Sequence, residues 1–557
     1  MKMNIKNLKV LAFGGLMLFS TSCQDLLEET VVSNIGNDYM NTAAGFEDAT
    51  KAAYSSLRTF YGTQLGLTFT EYGTDIYATG ADGGYKGFHF YDSQIQPTVN
   101  YLAILWDELY KAINTCNAII ERAPNVAGVS DATKTLRIAE AKFLRAHYYY
   151  ILHEQFGPLD LRLTETKGPT KETSRASSAE VYAQIIKDCN EAIPNLENRA
   201  HSNDYGRATK ASAEALLAKV YLAKAYGPSK GADDFQRAAD LCTSLINNYG
   251  FSLLSDFASV HDENNQLNSE VVFAVQYTTD MITNLTNAGG EGGGGNNLHL
   301  YFGMQYDTQA GMVRDVLNGR PFKRLRPTAY CVDVVFGERE NDSRYKKTFK
   351  DTWYSNNPGT FNTSFDPSKA KVTYAAGDTT IFIPGYEMSA EERAKRPYQV
   401  LVPSAYNEAL FPTLKKFFDT KRSDRTEPRG SRDYFVWRLA DIYLMRAEAN
   451  LALGKKAEAT ADVNIIRERA GWPGKKENMR ISESQMTFDF LVEERARELA
   501  GEQMRWLDLK RWRLLVDRVK KYNPQAQAVA EKHYLRPIPQ TQIDRSEVGS
   551  FAQNDGY

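Results

Sequence analysis

The chain has 557 residues, with 67 Lys and Arg set against 69 Asp and Glu and a formal net charge of −2. So even a balance gives no footing for nucleic acid or an anionic membrane surface, and points to a neutral or locally recognised partner. Length alone suggests several domains unless a repeat array fills it, and 32 Tyr and 27 Phe supply rings that bury well or, in loops, form flat contact surface at low entropy cost.

The first 22 residues read as a secretory leader: Lys2, Lys6 and Lys9 precede an apolar and small-residue run over 10–19, which Ser20-Thr21-Ser22-Cys23 closes. That run is about half of what a helix needs to cross a bilayer. A cysteine directly after the small residues resembles a bacterial lipobox, departing from it at Ser20, where Leu is usual. On that resemblance Cys23 is lipidated and becomes the mature N-terminus, and residues 23–40 are a lipidated linker. Acyl chains, each buried methylene contributing about 0.8 kcal/mol, then anchor the protein to a membrane. The remaining Cys116, Cys189, Cys242 and Cys331 lie far apart without a C-x-x-C pair. They read as small buried hydrophobes rather than as a zinc or disulfide framework.

Three segments share a helix stripe of alanine alternating with larger residues: Ala139, Phe143, Ala146, Tyr150; then Ala211, Ala215, Ala218, Leu222, Ala225; then Ala440, Leu444, Ala447, Leu451. Small residues along a stripe let neighbouring helices approach closely, as in stacked helix pairs of the tetratricopeptide type. Partner helices are expected over 102–122, 179–193, 235–247, 457–470 and 488–512, with stops at Phe156-Gly157-Pro158, Tyr226-Gly227-Pro228 and Gly471-Trp472-Pro473-Gly474. Glu493 and Arg497 are expected to pair within the last of these helices. Between about 278 and 433 the helical period disappears. Glycines crowd positions 289–295, prolines recur from Pro321 to Pro428, and 271–277 and 379–383 look like short strands. So long an irregular stretch is expected to be a folded insertion carrying function, with a second irregular stretch over 69–100.

Several motifs then match a known family in order. Trp106-Asp107-Glu108-Leu109-Tyr110 and Glu140-Ala141-Lys142-Phe143-Leu144-Arg145-Ala146 come first, and Ala215-Leu216-Leu217-Ala218-Lys219-Val220-Tyr221 and Arg438-Leu439-Ala440-Asp441-Ile442-Tyr443-Leu444 follow. Glu494-Arg495, Arg505-Trp506-Leu507-Asp508-Leu509-Lys510-Arg511-Trp512 and Leu535-Arg536-Pro537-Ile538-Pro539 close the series. The set resembles the SusD/RagB family over nearly the whole mature chain. The resemblance implies an outer-membrane, cell-surface lipoprotein that binds glycans, or in some members peptides, without cutting them. It also implies a SusC-like TonB-dependent outer-membrane transporter as partner, and no nucleic acid. The implied fold is mainly α, a tetratricopeptide-like helix-pair scaffold with a large irregular, loop-rich insertion containing short strands. Residues 41–557 then form one domain, its scaffold over about 41–68, 101–277 and 434–557 and its ligand-binding parts over about 69–100 and 278–433. The matching motifs are scaffold positions, so none carries a ligand contact across.

No enzyme, cofactor or metal is expected. The chain has no H-E-x-x-H or G-x-S-x-G motif, and the glycine run lacks the Lys and Ser/Thr of a phosphate loop. Carboxylates could be paired on paper into a glycosidase dyad, but sequence spacing does not place them. Sugar binding needs aromatic faces and planar polar groups in loops. Tyr72, Asp75, Tyr77, Asp82, Tyr85, His89 and Tyr91 supply them in the first irregular stretch; Asn296, Asn297, Tyr301, Tyr306, Trp353, Tyr354 and Asn356 do so in the second. Trp353 leads, followed by Tyr77 and Tyr301, with Asp75 and Asn296 as hydrogen-bonding partners. The alternative for each ring is that it pins its loop to the helices. Further readings are a peptide-binding member of the same uptake system, a surface glycoside hydrolase and a protein-binding adaptor. Without a dominant basic cluster a neutral glycan is favoured, while Arg320, Lys323, Arg324 and Arg326 keep an acidic one open.

Overall fold

The computed structural model describes residues 37–557 except 202–203, 281–293, 364, 366–369, 548 and 550. The leader, Cys23 and positions 289–293 of the glycine run lie outside the described residues. The first helices are Ala43–Ser55 (α1), Asn100–Arg122 (α2), Asp131–Phe156 (α3), Ser178–Ala192 (α4), Lys210–Ala225 (α5) and Asp234–Asn248 (α6). Their starts are written in the sequence. The side chains of Thr42, Ser130, Ser177 and Thr209 each accept a backbone N–H three residues on, and Glu180 and Ser212 return the bond to form capping boxes. α3 stops at Gly157, whose φ is +75° and where a Cβ would meet Leu535 Cδ1 at 2.9 Å, so glycine is required twice over.

After the insertion come Leu439–Ala452 (α7), Lys456–Ala470 (α8), Phe488–Leu499 (α9), Arg505–Arg511 (α10) and Leu515–Tyr522 (α11). α2 packs on α3, α3 on α4, and α5 on α6; α7 then packs on both α6 and α8, so the late helices extend the array begun by the early ones. Every member of the expected stripes is buried except Leu451, which is partly buried. Cys116, Cys189, Cys242 and Cys331 are free and buried. Two expectations fail. The single helix over 488–512 is broken between α9 and α10, where Gly501 (φ +80°) and Gln503 (φ +54°) turn the chain left-handed. Arg497 turns to Glu494 and to the Val335 carbonyl, not to Glu493, which instead accepts a bond from the Tyr330 hydroxyl at 3.2 Å.

The insertion leaves and returns at one buried two-stranded sheet, Val271–Val275 antiparallel to Tyr434–Arg438. Within it, Thr352–Tyr354 pairs antiparallel with Thr379–Phe382, which pairs parallel with Gln399–Val400. A separate ladder, Tyr77–Thr79 against Leu325–Pro327, joins the first irregular stretch to the second. The fold is thus mainly α, with loop-rich regions held by a few short strands.

Buried charge locks the insertion to the helices. The Glu498 carboxylate accepts from Arg469 at 2.5 Å, Arg438 at 2.7 Å and Arg344 at 3.0 Å, while Glu502 accepts from Arg438 at 2.8 Å and Lys416 at 2.9 Å. Arg344 and Lys416 belong to the insertion, Arg438 to the end of the returning strand and Arg469 to α8. Burial alone would raise the Glu498 carboxyl; Arg469, Arg438 and Arg344 outweigh it and hold it at about 2. Charges so far from water persist only when each has several partners, which makes this network a rigid junction.

Candidate functional site

Strand alternation decides the fate of the leading candidate. Within Thr352–Tyr354 the middle side chain points inward: Trp353 has no exposed surface, while Tyr354 is 57% exposed. Trp353 stacks on Tyr306 with ring centroids 4.6 Å apart and interplanar angle 18°. Lys350 Nζ lies 4.2 Å from its ring, and Met304, Met312, Ile381 and Phe411 complete the local core. It has no face to offer a sugar; it is the mount that fixes Tyr354.

The other buried candidates are corrected in the same way. Tyr306 is enclosed with Trp353 and donates its hydroxyl to the Gly319 carbonyl at 2.6 Å. Tyr77 packs on Phe302 at 5.3 Å, Tyr72 sets its ring edge-on to His89, and Tyr301 lies under the Arg324 guanidinium at 5.3 Å. Asp75 is buried and bound by Arg505 at 2.7 Å and Arg518 at 2.9 Å. Burial opposes its ionisation, yet Arg505 and Arg518 prevail and hold the carboxyl below the usual carboxylate range. Asn296 spends its amide on the Arg432 carbonyl at 2.9 Å and the Leu298 N–H at 3.1 Å. Asp75 ties its loop to the helical half, while these contacts of the others lie within the two irregular stretches. Tyr85 is partly buried, one face stacked on Tyr101.

Bonds between loops link the less buried segments. The 80–86 loop is sewn to the 323–324 segment and to Glu408: Gly80 N–H donates to the Arg324 carbonyl at 3.1 Å, Asp82 N–H to Lys323 at 3.2 Å and Ala81 N–H to Glu408 at 2.8 Å. Lys323 and Asp82 pair at 3.0 Å. Gln305 N–H donates to the Ala409 carbonyl at 2.8 Å, and Val313 exchanges bonds with the Asn356 amide at 2.7 and 2.8 Å, two residues from Tyr354. Tyr85, Tyr91 and Lys323 adopt left-handed φ values of +61°, +57° and +45°. Non-glycine residues hold such conformations at a cost of about 1–3 kcal/mol, and only where the surroundings over-determine them.

Sequence reasoning missed part of this surface. Phe322 is half-buried between two cations, with the Arg320 guanidinium 5.0 Å and the Arg324 guanidinium 4.8 Å from its ring centroid. The signal for Phe322 lay in the run Arg320-Pro321-Phe322-Lys323-Arg324, where one ring sits among cations. Burial pushes the Lys350 ammonium down to about 8, with Asp315 opposing. A separate cleft of about 780 Å³ lies on the helical side by Trp106, Tyr110 and Gln542. Its polar groups are already engaged: Trp106 donates to Gln542 at 3.2 Å, Tyr110 to the Asp160 carbonyl at 2.9 Å, and Asn114 accepts from Thr166 at 2.7 Å.

Residues 269–557 match the model of the SusD family, and residues 37–222 match the model described as starch-binding associating with outer membrane. The chain belongs to the SusD family. SusD-like protein P25 of Formosa agariphila is 24% identical over 581 residues, with both chains covered completely. Starch-binding protein SusD of Bacteroides thetaiotaomicron is 25% identical over 456 residues, covering 77% of this chain and 74% of the relative. A laminarin binding SusD-like protein of known structure has a TM-score of 0.68 at 22% identity, covering 93% of this chain and 100% of that one, which supports the fold. The motifs that carried the resemblance to the SusD family fall on the scaffold. Arg145 forks onto Asp188 at 2.7 and 2.8 Å, Arg495 contacts Asp508 at 2.9 Å, and Arg536 lies buried against the Trp506 ring at 4.2 Å. No helix among the described residues is long and apolar enough to cross a membrane.

Proposed function

We propose that this SusD-family protein is a non-catalytic receptor for oligo- or polysaccharide, held on the outer membrane at the cell surface by lipid on Cys23. It passes its ligand to a SusC-like TonB-dependent transporter. The observation that carries this reading is Tyr354, a ring more than half exposed on a strand immobilised by the buried Trp353–Tyr306 stack. An exposed ring on a rigid mount covers the C–H face of a sugar without an ordering penalty. Tyr85 and Phe322, with the cations around the 80–86 loop, supply further surface and hydrogen-bond donors. The buried carboxylates Glu494, Glu498, Glu502 and Asp508 are held ionised by arginine and lysine partners. Locked in that state and away from solvent, they are struts and not general acids. The names of relatives that bind starch or laminarin support a glycan over a peptide.

Isothermal calorimetry of the chain lacking residues 1–23 against a polysaccharide and oligosaccharide panel tests the reading, with chromatography of the mixtures to detect products. Binding without product release, weakened by Tyr354→Ala, is expected; binding of peptides alone, or release of shorter sugars, overturns it. Co-purification of a TonB-dependent transporter with the full chain, and loss of membrane association in Cys23→Ser, test the remaining assignments.

A further inference from the structure

Two cations of the proposed site, Arg320 and Arg326, are not spent on carboxylates among the described residues in the way those of the scaffold are. Lys323 is paired with Asp82, and Arg324 is buried with its guanidinium against Gln64 and the rings of Phe322 and Tyr301. Arg320 and Arg326, both partly exposed, form no ion pair with a carboxylate among the described residues. Arg320 lies flat over Phe322. Arg326 donates one bond from Nε to the Thr79 carbonyl at 3.0 Å, and among the described residues its two terminal nitrogens have no hydrogen-bond partner. Lys86 closes the group, its ammonium tethered to the carbonyls of Gly80 and Ala81 at 3.1 and 3.4 Å. Against these cations stand Asp82, already paired, and Glu408, which accepts from Gln525 at 3.4 Å. Gly84, beside them, has open space where a Cβ would be, so a ligand can reach the backbone there.

We propose that this face selects anionic glycans, with Arg320 and Arg326 taking carboxylate or sulfate groups while Tyr354 and Phe322 cover the sugar rings. The proposal rests on the glycan-binding reading above and narrows its substrate class. A guanidinium held against a ring is oriented before the ligand arrives, and its planar fork of donors matches the two oxygens of a uronate or a sulfate ester. A neutral hydroxyl cannot repay the desolvation of such a cation as well as an anion can.

The test compares the wild-type protein with Arg320→Gln, Arg326→Gln and the double variant by calorimetry at fixed ionic strength. Three classes of polymer serve as probes: polygalacturonate and alginate for carboxylate, carrageenan for sulfate, laminarin and starch for neutral chains. Preference for one acidic class, reduced at least about tenfold in the double variant, is the expected result. The class that binds identifies the anion. Tyr354→Ala serves as the second probe of the same face. Neutral chains bound as tightly as acidic ones and weakened by Tyr354→Ala, but untouched by Arg320→Gln and Arg326→Gln, overturn the anionic assignment and leave the glycan-binding reading intact. No glycan of any class bound overturns both. Acidic binding that persists in the double variant also overturns the assignment, by placing the contact elsewhere.

Discussion

Two adjacent residues separate mount from surface. Trp353→Ala removes a ring with no exposed area, stacked on Tyr306 and enclosed by Met304, Met312, Ile381 and Phe411. Truncating a buried Trp destabilises by about 3–5 kcal/mol, through lost burial and the cavity left behind. A chain of this length does not unfold in two states, so the loss is to be read locally, as faster amide exchange over 349–383 together with a lower first thermal transition. Tyr354→Ala removes a ring that is 57% exposed, and its effect on stability should stay within about 0.5 kcal/mol. Its effect should fall on the ligand instead. Covering about 60 Å² of ring contributes about 1.5 kcal/mol at 25 cal/mol/Å², so affinity should drop about tenfold. If Trp353→Ala exchanges like the wild type while Tyr354→Ala accelerates exchange, the inward and outward assignment of the strand is wrong and the reasoning about the face fails with it.

Glu498→Gln strands three guanidiniums around a group that no longer carries charge, and the local loss of about 3–5 kcal/mol should appear as faster amide exchange around Arg344, Arg438 and Arg469. Burial raises the Glu71 carboxyl to about 8, against the bond it accepts from Met504 and the charge of Arg505. The folded state therefore holds a proton between about 4.5 and 8 that the unfolded state has released, so this residue makes stability fall as pH rises through that window. Glu71→Gln should leave the melting temperature at pH 5 nearly unchanged and raise it at pH 8; an equal shift at both values counts against a protonated Glu71. Gly501→Ala forces a Cβ to within 2.6 Å of Leu414 Cδ2 at φ +80°, and should slow refolding or cut soluble yield, while Gly454→Ala, at φ +77° with open space around it, should show only the smaller backbone penalty in the same melts.

The scaffold was legible because helix burial is written locally. Ala215 and Ala218 face inward for the same reason that they recur at helical spacing, and Ser177 with Glu180 marks a helix start whatever lies elsewhere. The break after Leu499 was partly legible in Gly501, but the pattern of large residues on both sides masked it. The candidate site was not legible, because whether a loop ring faces in or out depends on partners far away in sequence. Trp353 and Tyr354 are neighbours of similar character. Which one is enclosed is decided by Tyr306 and by the pairing with Thr379–Phe382. Asp75 offered itself as a sugar ligand until Arg505 and Arg518, more than four hundred positions away, claimed it.

A chain with a net charge of −2 can still carry locally unpaired cations. A whole-chain balance counts each charge once, but charges in the buried network cancel within a few ångströms and contribute little field outside. Arg344, Arg438 and Arg469 are neutralised by Glu494, Glu498, Glu502 and Asp342. Removing those pairs from the count leaves the surface potential to less buried residues, among them Arg320, Arg326 and Lys86, which pair with no carboxylate among the described residues. The potential a ligand meets there is set by what is left unpaired and not by the total. A salt titration separates the two cases: affinity governed by Arg320 and Arg326 falls steeply with ionic strength, whereas affinity governed by ring stacking at Tyr354 does not.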